Sequence, residues 1–491
     1  MRNNEGLIRG TVGILFFTVT LFGLAIFLDL QIAPNFTDLS LTNTWNGITY
    51  SNQIPVIFVI WIAVAVALFA AGSFALIEKR SSNNSRRSLL PSTLPLSPRV
   101  QMARTRGVFD GEITVTVLIP AHNEAGMLGQ TIPALQRQGR APERIIVVAD
   151  NCTDKTIEVA EGLGVEIFET QNNQSQKGGA LNQVLKTLLP GLGNNDIVMI
   201  VDADTTLDAG FIEAAVLRFT ADRGLMAVGG IFKGYAGGGL LGVLQRNEYD
   251  RYERKINRRR GQVFVLTGTS TMFRSIALKT VAENRGVLIG GFQGDVFDTV
   301  SLTEDNELTL ALKTLGALME SPKNCVVHTE LMPSWRYLWK QRMRWQRGAI
   351  ENIGSYGMTP ATFRYWGQQL GIGYGVIALS SFVALQGIVF LSLDYWVWYP
   401  FWLGVGAIFL YERVKTVWHS GWRARLLAAT MIPELIYEFF LQAVFLNSML
   451  DIILKRDANW GHVVHEHAGT QERQAGRHAR TAGANSKGAE L

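Results

Sequence analysis

An α/β sheet domain set between groups of transmembrane helices is the architecture this sequence predicts. Two observations carry it. The chain of 491 residues is 47% hydrophobic, and its longest apolar runs lie toward its two ends. Its middle third instead alternates short β-branched runs with charged, helix-forming segments. That composition is too apolar for an ordinary soluble enzyme, and the middle is too charged for a membrane bundle alone. The length allows two or three structural units. The net charge of +5 is modest and its Lys and Arg are scattered, so no nucleic-acid footprint is present. Cys152 and Cys325 stand far apart without metal-ligand spacing, as free thiols of a reducing compartment do.

A helix crosses a bilayer with about 20 apolar residues. Runs at 11–28, 54–77, 370–393 and 395–411 meet or approach that length. A fifth stretch, 426–454, is long but carries Pro433, Glu434, Glu438 and Asp451. The first run follows charged residues, as a signal peptide does. It has no evident small-residue cleavage site, and a second span follows at once. Orientation follows from Lys and Arg. Arg2 and Arg9 precede the first span, and Lys79, Arg80, Arg86 and Arg87 follow the second; residues 31–53 between them hold neither type. Loop 31–53 and the turn at Asp394 are therefore expected outside, with 78–369 and the basic loop 412–425 in the cytosol. A single crossing by 426–454 leaves Lys455 and Arg456 outside, against that trend, whereas a dip into the interface does not; both stay open. The expected units are two N-terminal helices (1–78), a Ser, Pro and Arg-rich tether (79–112), the α/β domain (113–330), amphipathic interfacial helices (331–368), C-terminal transmembrane helices (369–456) and a polar, disordered tail (457–491).

In the middle, TVTVLIP, RIIVVAD and DIVMIVDAD read as buried parallel strands. Helical segments at 126–137, 154–163 and 179–188 separate or follow them, which implies a doubly wound, mostly parallel sheet. Ligands of such sheets bind at the carboxyl ends of strands. There the sequence places Asn123 and Glu124, Asp150 and Asn151, and Asp202 and Asp204. Carboxylates crowded on one rim repel one another unless a cation sits among them. A divalent ion held by DAD (Asp202 to Asp204) keeps positions open for diphosphate oxygens. Residues 303–305, TED, open a helical run at 306–315 and offer a carboxylate base. The plainer reading is a helix start, with Thr303 as N-cap and acids in the first turn. QRMRW (341–345) lies in an amphipathic stretch, 334–353, where Trp335, Trp339 and Trp345 alternate with basic residues. That pattern suits an interfacial helix. It equally offers the Arg344 guanidinium to a diphosphate and the Trp345 indole to a sugar.

The ordered set IPAHNE, VVADNCTD, KGGALN, VDAD, GTSTMFR, TED and QRMRW, over about residues 117–348, resembles the processive family-2 glycosyltransferases, the membrane synthases of chitin, hyaluronan, cellulose and poly-N-acetylglucosamine. The resemblance implies a GT-A-type nucleotide-sugar-binding domain with its catalytic face in the cytosol of a multi-pass plasma-membrane protein. It implies an inverting, Mg²⁺- or Mn²⁺-dependent transfer from a UDP-sugar, best UDP-N-acetylglucosamine or UDP-glucose, onto a growing β-linked glycan. Its partners are then the donor, the glycan acceptor, the lipid bilayer and an accessory export subunit, with no nucleic acid. By position, His122, Glu124, Asp150, Lys177 and Asp202 serve the nucleotide-sugar and Asp204 with Asp202 the metal. Asp305 is the base with Glu304 beside it, and Gly268, Gln341, Arg344 and Trp345 hold acceptor and diphosphate. The sequence departs from many such synthases at His122, where an aromatic residue, often Tyr, is usual, and no cyclic-dinucleotide-binding domain is expected after the last span. Two other readings stand beside this one: a single-transfer lipid glycosyltransferase at the membrane face, and a non-catalytic transporter or scaffold.

Overall fold

The computed structural model describes residues 42–51, 61, 93–104, 112–259, 261–392 and 397–456. The expected span at 11–28, all of 54–77 except Trp61, and the polar tail lie outside them. The first described element is a hairpin of β1 (Thr42–Trp45) and β2 (Ile48–Ser51). Its turn residues Asn46 and Gly47 have φ of 47° and 79°, the left-handed pair that a two-residue hairpin turn demands. Next comes the short helix α1 (Pro98–Arg104). Residues 94–101, expected within a tether over the membrane, instead pack on the sheet domain. Leu96 is fully buried and its N–H donates to Leu315 O at 2.9 Å.

The domain then alternates β3 (Val115–Ala121), α2 (Ala125–Gln136), β4 (Arg144–Ala149), α3 (Thr156–Gly162), β5 (Glu166–Glu169), α4 (Gln176–Leu188) and β6 (Ile197–Val201). A second half follows with β7 (Thr206–Leu207), α5 (Phe211–Ala221), β8 (Leu225–Gly229), β9 (Ile231–Gly234), α6 (Gly239–Arg258), β10 (Ser270–Arg274), α7 (Ser275–Asn284), α8 (Glu304–Thr314), β11 (Leu318–Glu320) and β12 (Val326–Thr329). The main sheet has seven strands in the order β11-β8-β10-β6-β3-β4-β5. β10 runs antiparallel to both its neighbours and every other pairing is parallel. This is the mostly parallel α/β sheet expected. Strands buried on both faces need apolar residues at every position. Accordingly Leu118, Ile146 and Val198 join one core layer with Leu181 and Leu308, while Val117, Ile119 and Met199 join the other with Leu128 and Phe211. The chain winds outward from β3 through β4 to β5, then returns to place β6 on the opposite side of β3. The resulting crevice at the carboxyl ends of β3 and β6 is where an α/β sheet receives its ligand.

Beyond the sheet lie α9 (Trp335–Tyr356), α10 (Phe363–Ser392), β13 (Val397–Trp398), α11 (Pro400–Thr416), α12 (Trp422–Thr430) and α13 (Ile432–Ile453). Among the described residues one helix, α13, is long and apolar enough to cross a membrane. It coincides with the stretch whose path the sequence leaves open. Its Glu434 and Glu438 are interface groups: Glu434 is 4% exposed and takes Asn247, Arg251 and Arg413, and Glu438 lies 3.7 Å from Arg413. The expected interfacial helix 334–353 is α9, but part of its aromatic and basic face meets protein. Trp335 and Trp339 pack on Phe440 of α13 at 5.0 and 5.6 Å between ring centroids, and Arg342 is buried. One apolar cluster ties α8, α9, α10 and α13 together through Leu310, Ile350, Tyr365 and Phe445.

Candidate functional site

The three strands that end at the crevice deliver their polar residues through tight turns. After β3, Asn123 turns the chain with φ 59°, and its Oδ1 accepts from Thr153 N and Asp154 N at 2.8 and 3.2 Å. This locks the loop after β3 onto the loop after β4. His122 and Glu124 flank that clasp. The His122 Nδ1 donates to Asp150 O at 2.6 Å, which leaves Nε2 an acceptor in the neutral ring. The Glu124 N–H donates to Thr156 Oγ1 at 2.8 Å.

Asp150 is buried. Its Oδ1 accepts from Thr170 Oγ1 at 2.7 Å, Asn173 Nδ2 at 2.9 Å and Asn151 Nδ2 at 3.2 Å. All these donors are neutral. Asn173 reaches Asp150 across Gly179, where a Cβ would fall on Asn173 Oδ1 and lie 2.7 Å from Ser175 Cβ. The second glycine of KGGALN is therefore a close-approach residue. A cavity of about 280 Å³ is lined by His122, Glu124, Asp150, Lys177, Asp202 and Asp204, together with neighbours from the same loops. The donor-side residues expected from the sequence thus share one pocket.

Lys177 stands where this pocket meets TED. Its ammonium pairs with Asp202 on one side and with Glu304 at 3.5 Å on the other, and it lies 3.4 Å from Gly268 O. Burial opposes the charge on Lys177, but Asp202 and Glu304 outweigh it and hold the ammonium above its ordinary pKa. The resemblance gave Lys177 to the nucleotide-sugar; here it also bridges the two sets of carboxylates.

Asp305 is fixed by backbone donors, Gly268 N to Oδ2 at 2.9 Å and Asn306 N to Oδ1 at 2.7 Å. Its pKa is pushed up to about 6 by burial first and by the adjacent Glu304 second, with Lys177 and the two N–H groups pulling it down. That value suits a group that must accept a proton near neutrality. Gly268 leaves no spare room, since a Cβ there would lie 3.2 Å from Asp305 Oδ2. Thr303 occupies the N-cap position of α8 but makes no side-chain cap bond. Its Oγ1 and its carbonyl instead accept from Asn352 Nδ2, at 3.1 and 3.2 Å. Gly348 lets the helices touch, because a Cβ there would lie 2.8 Å from Thr303 Cγ2. TED is thus seated on the helix that carries QRMRW.

Within QRMRW, Gln341, Arg344 and Trp345 are each partly buried. Arg342 is the buried member. It pairs with Glu248 of α6 at 2.8 Å, donates to Gln341 Oε1 at 2.6 Å and lies 4.3 Å from the Trp345 ring centroid. Sequence reading missed α6 altogether. Burial raises the Tyr249 phenol pKa; Arg342 draws it down, while Glu248 and Asp204 raise it further. Tyr252 is pushed up to about 12, by burial and then by Asp305. The available signal was a pair of tyrosines three apart beside Glu248, which only the packed helix turns toward the site. Thr170 and Asn173, loop residues with no motif of their own, were missed as well.

Residues 116–282 match the family model described as Glycosyl transferase family 2. The chain is 28% identical over 247 residues to the probable glycosyltransferase YdaM of Bacillus subtilis, a match covering 48% of this chain and 54% of that protein. It is 26% identical over 244 residues to the poly-beta-1,6-N-acetyl-D-glucosamine synthase of Staphylococcus aureus, covering 48% and 55%. The chain spans about half the length of the curated relatives it matches. Among solved structures, the mannosyltransferase PcManGT from Pyrobaculum calidifontis in complex with GDP-Man and Mn2+ gives a TM-score of 0.46 at 17% identity, over 80% of this chain and 99% of that one. S. aureus TarS 1-349 in complex with UDP-GlcNAc gives 0.36 at 15% identity, over 72% and 95%.

Proposed function

With residues 116–282 forming a glycosyl transferase family 2 domain, we propose that the chain transfers a sugar from a UDP-sugar, with inversion, onto a growing β-linked glycan at the cytosolic face of a membrane. UDP-N-acetylglucosamine and UDP-glucose are the favoured donors. The observation that carries this reading is Lys177, whose ammonium joins Asp202 of the nucleotide pocket to Glu304 beside Asp305. A donor carboxylate and a candidate base thereby lie within one side chain's reach of each other, as transfer between two bound sugars requires.

Asp150 has three donors on Oδ1, so its other oxygen is the acceptor that an N–H of a nucleobase edge meets. Asp204 with Asp202 would hold a Mg²⁺ or Mn²⁺. Among the described residues no third His, Cys, Asp or Glu joins such a group. Two carboxylates with positions left for phosphate oxygens and water are what an ion bound with its substrate uses, so the donor set fits. Such an ion, when bound, neutralises the charge developing on the diphosphate. Asp305 takes the proton of the acceptor hydroxyl as its oxygen bonds the anomeric carbon. The electron pair of the breaking bond leaves with UDP from the opposite face. Gln341, Arg344 and Trp345 hold diphosphate and acceptor.

A multi-pass membrane location belongs to the same proposal. It is supported by α13 and by a small sheet in which β2, from loop 31–53, pairs with β13, just after the Asp394 turn. Loop 31–53 and the turn at Asp394 are expected on the outer side, and β13 begins three residues past that turn, at the outer end of the expected span 395–411. The pairing therefore suits two helical groups crossing the same bilayer, with coupled export and an accessory subunit as further expectations.

UDP release by detergent-purified protein across UDP-glucose, UDP-N-acetylglucosamine, UDP-galactose and UDP-glucuronate, with and without Mg²⁺ or Mn²⁺, tests the reading. One donor turning over only with metal, and yielding a glycosidase-sensitive polymer, is the expected result. A single glycolipid product overturns polymerisation, and no turnover with any donor overturns transfer from these UDP-sugars.

A further inference from the structure

Arg342, the second residue of QRMRW, has no role in the transfer as derived above, yet it is 5% exposed and carries a full charge into the interior. A buried guanidinium is costly unless its charge and most of its donors are met, and here only Nε has no hydrogen-bond partner. Glu248 of α6 meets the charge through Nη2 at 2.8 Å, and Nη1 donates to Gln341 Oε1 at 2.6 Å. The guanidinium carbon also lies over the Trp345 indole, 4.3 Å from its centroid, as residues three apart on a helix can. Arg342 therefore ends on two of the residues assigned to acceptor and diphosphate. On the transfer reading, a sugar would stack on the indole face that Arg342 does not cover.

The chain of contacts continues outward. The Glu248 oxygen that takes Arg342, Oε2, also accepts from Tyr437 Oη of α13, a residue 189 positions away in sequence. Tyr437 is fully buried, with its ring near Trp335 and Phe440 at 6.1 and 6.3 Å between centroids. It therefore has little freedom apart from the movement of α13 itself. α13 is the described helix long and apolar enough to cross a membrane.

We propose that Arg342 is a positioning residue that aims Trp345 and Gln341 at the acceptor, and that Tyr437 of the C-terminal helix sets it through Glu248. This rests on the transfer reading above. The C-terminal helix is then part of the acceptor site and not only an anchor. A shift of α13 along or about its axis withdraws one donor from Glu248, loosens Arg342 and changes the tilt of the indole on which the growing end rests.

The test uses the full chain in detergent with the donor that supports UDP release and a short β-linked oligosaccharide of the same sugar as acceptor. Hydrolysis of the donor without acceptor is measured in parallel. Tyr437→Phe removes one oxygen and keeps the ring. It is expected to raise the acceptor KM about three- to tenfold, the range of one hydrogen bond, and to shorten the product, with donor KM and hydrolysis held. Glu248→Gln should do the same, and adding Tyr437→Phe to it should cost little more, because both act through one contact. Arg342→Lys, which keeps the charge but not the planar fork, should recover only part of what Arg342→Ala loses. Wild-type acceptor KM and product length in Tyr437→Phe overturn the proposal. So does a loss in which hydrolysis and transfer fall in equal proportion, the mark of a merely structural role. If the wild type itself releases no UDP with any donor, the transfer reading fails first. If Arg342 variants do not fold, Tyr437→Phe still decides.

Discussion

The donor half and the acceptor half of the proposed site are held together by different physics. Around Asp150 the partners are neutral, and they come from 1, 20 and 23 residues away in sequence. Around Asp305 and Arg342 the contacts bridge 37, 94 and, through Tyr437, 189 residues. The Arg342 guanidinium there is buried, and the carboxylates are partly buried, Glu248 paired with Arg342 and Asp305 held by backbone N–H groups. Neutral bonds within neighbouring loops cost little to form and leave the donor pocket nearly complete once the sheet has folded. Paired charges gathered from four helices are strong only while every member is in place. The donor half should therefore tolerate disturbance of the C-terminal helices, and the acceptor half should not.

The widest separation between the halves is expected from Asp305→Asn. Transfer should fall by about 10³-fold, within the range of a lost general base, while UDP affinity by calorimetry stays near wild type. Retained turnover would move the base elsewhere and erase the contrast. The same variant should raise the melting temperature at pH 7. The folded Asp305 pKa, about 6, lies above its ordinary 3.8, so this carboxyl costs stability as pH rises through that window and the cost persists above it.

Next in size is the buried pair behind TED. Arg285 and Glu307 are essentially inaccessible, bonded Nη2 to Oε2 at 2.7 Å, with Tyr356 Oη donating to Glu307 as well. Arg285→Met strands the Glu307 charge under α8 and should destabilise the protein by about 3–5 kcal/mol in thermal unfolding. A loss below about 1 kcal/mol would show that α8 is held by its apolar contacts alone.

The pH profile sharpens the comparison. On the proposed role only deprotonated Asp305 accepts the proton, so kcat/KM should fall about tenfold per pH unit below roughly pH 6 and level off above it. UDP affinity, which depends on the other half, should show no step there. A step shared by both would mean that the halves titrate together through Lys177. The smallest effect is expected from Gly179→Ala, whose methyl displaces Asn173 from Asp150. UDP affinity should weaken about tenfold, in keeping with one hydrogen bond to a charged group, with acceptor KM unchanged. Unchanged UDP affinity would remove Asn173 from the support of Asp150.

Much of the donor half was legible beforehand. TVTVLIP, RIIVVAD and DIVMIVDAD are continuous β-branched runs because both faces of a central strand are buried, and their carboxyl ends name the pocket directly. Asn173 and Thr170 were not legible, since a loop polar residue has no period and shows its partner only when the loop closes. TED misled in one respect: Thr303 occupies the N-cap position, yet its hydroxyl serves Asn352 of a distant helix. The tether was read from its Ser, Pro and Arg content, which conceals Leu96, Ser97 and Gln101, the buried residues that dock it.

By itself, then, the sequence determined the sheet domain, the family-2 resemblance and the group of residues that line the pocket at the carboxyl ends of the strands. Local alternation, strand ends and short motifs record contacts between neighbours along the chain. The tertiary structure alone decided that Lys177 bridges the two carboxylate sets, that Arg342 is buried against Glu248 and Trp345, and that α13 reaches this arrangement through Tyr437. Those contacts depend on which helix faces lie together, and a buried charge finds its partner in space at separations that no window along the chain contains.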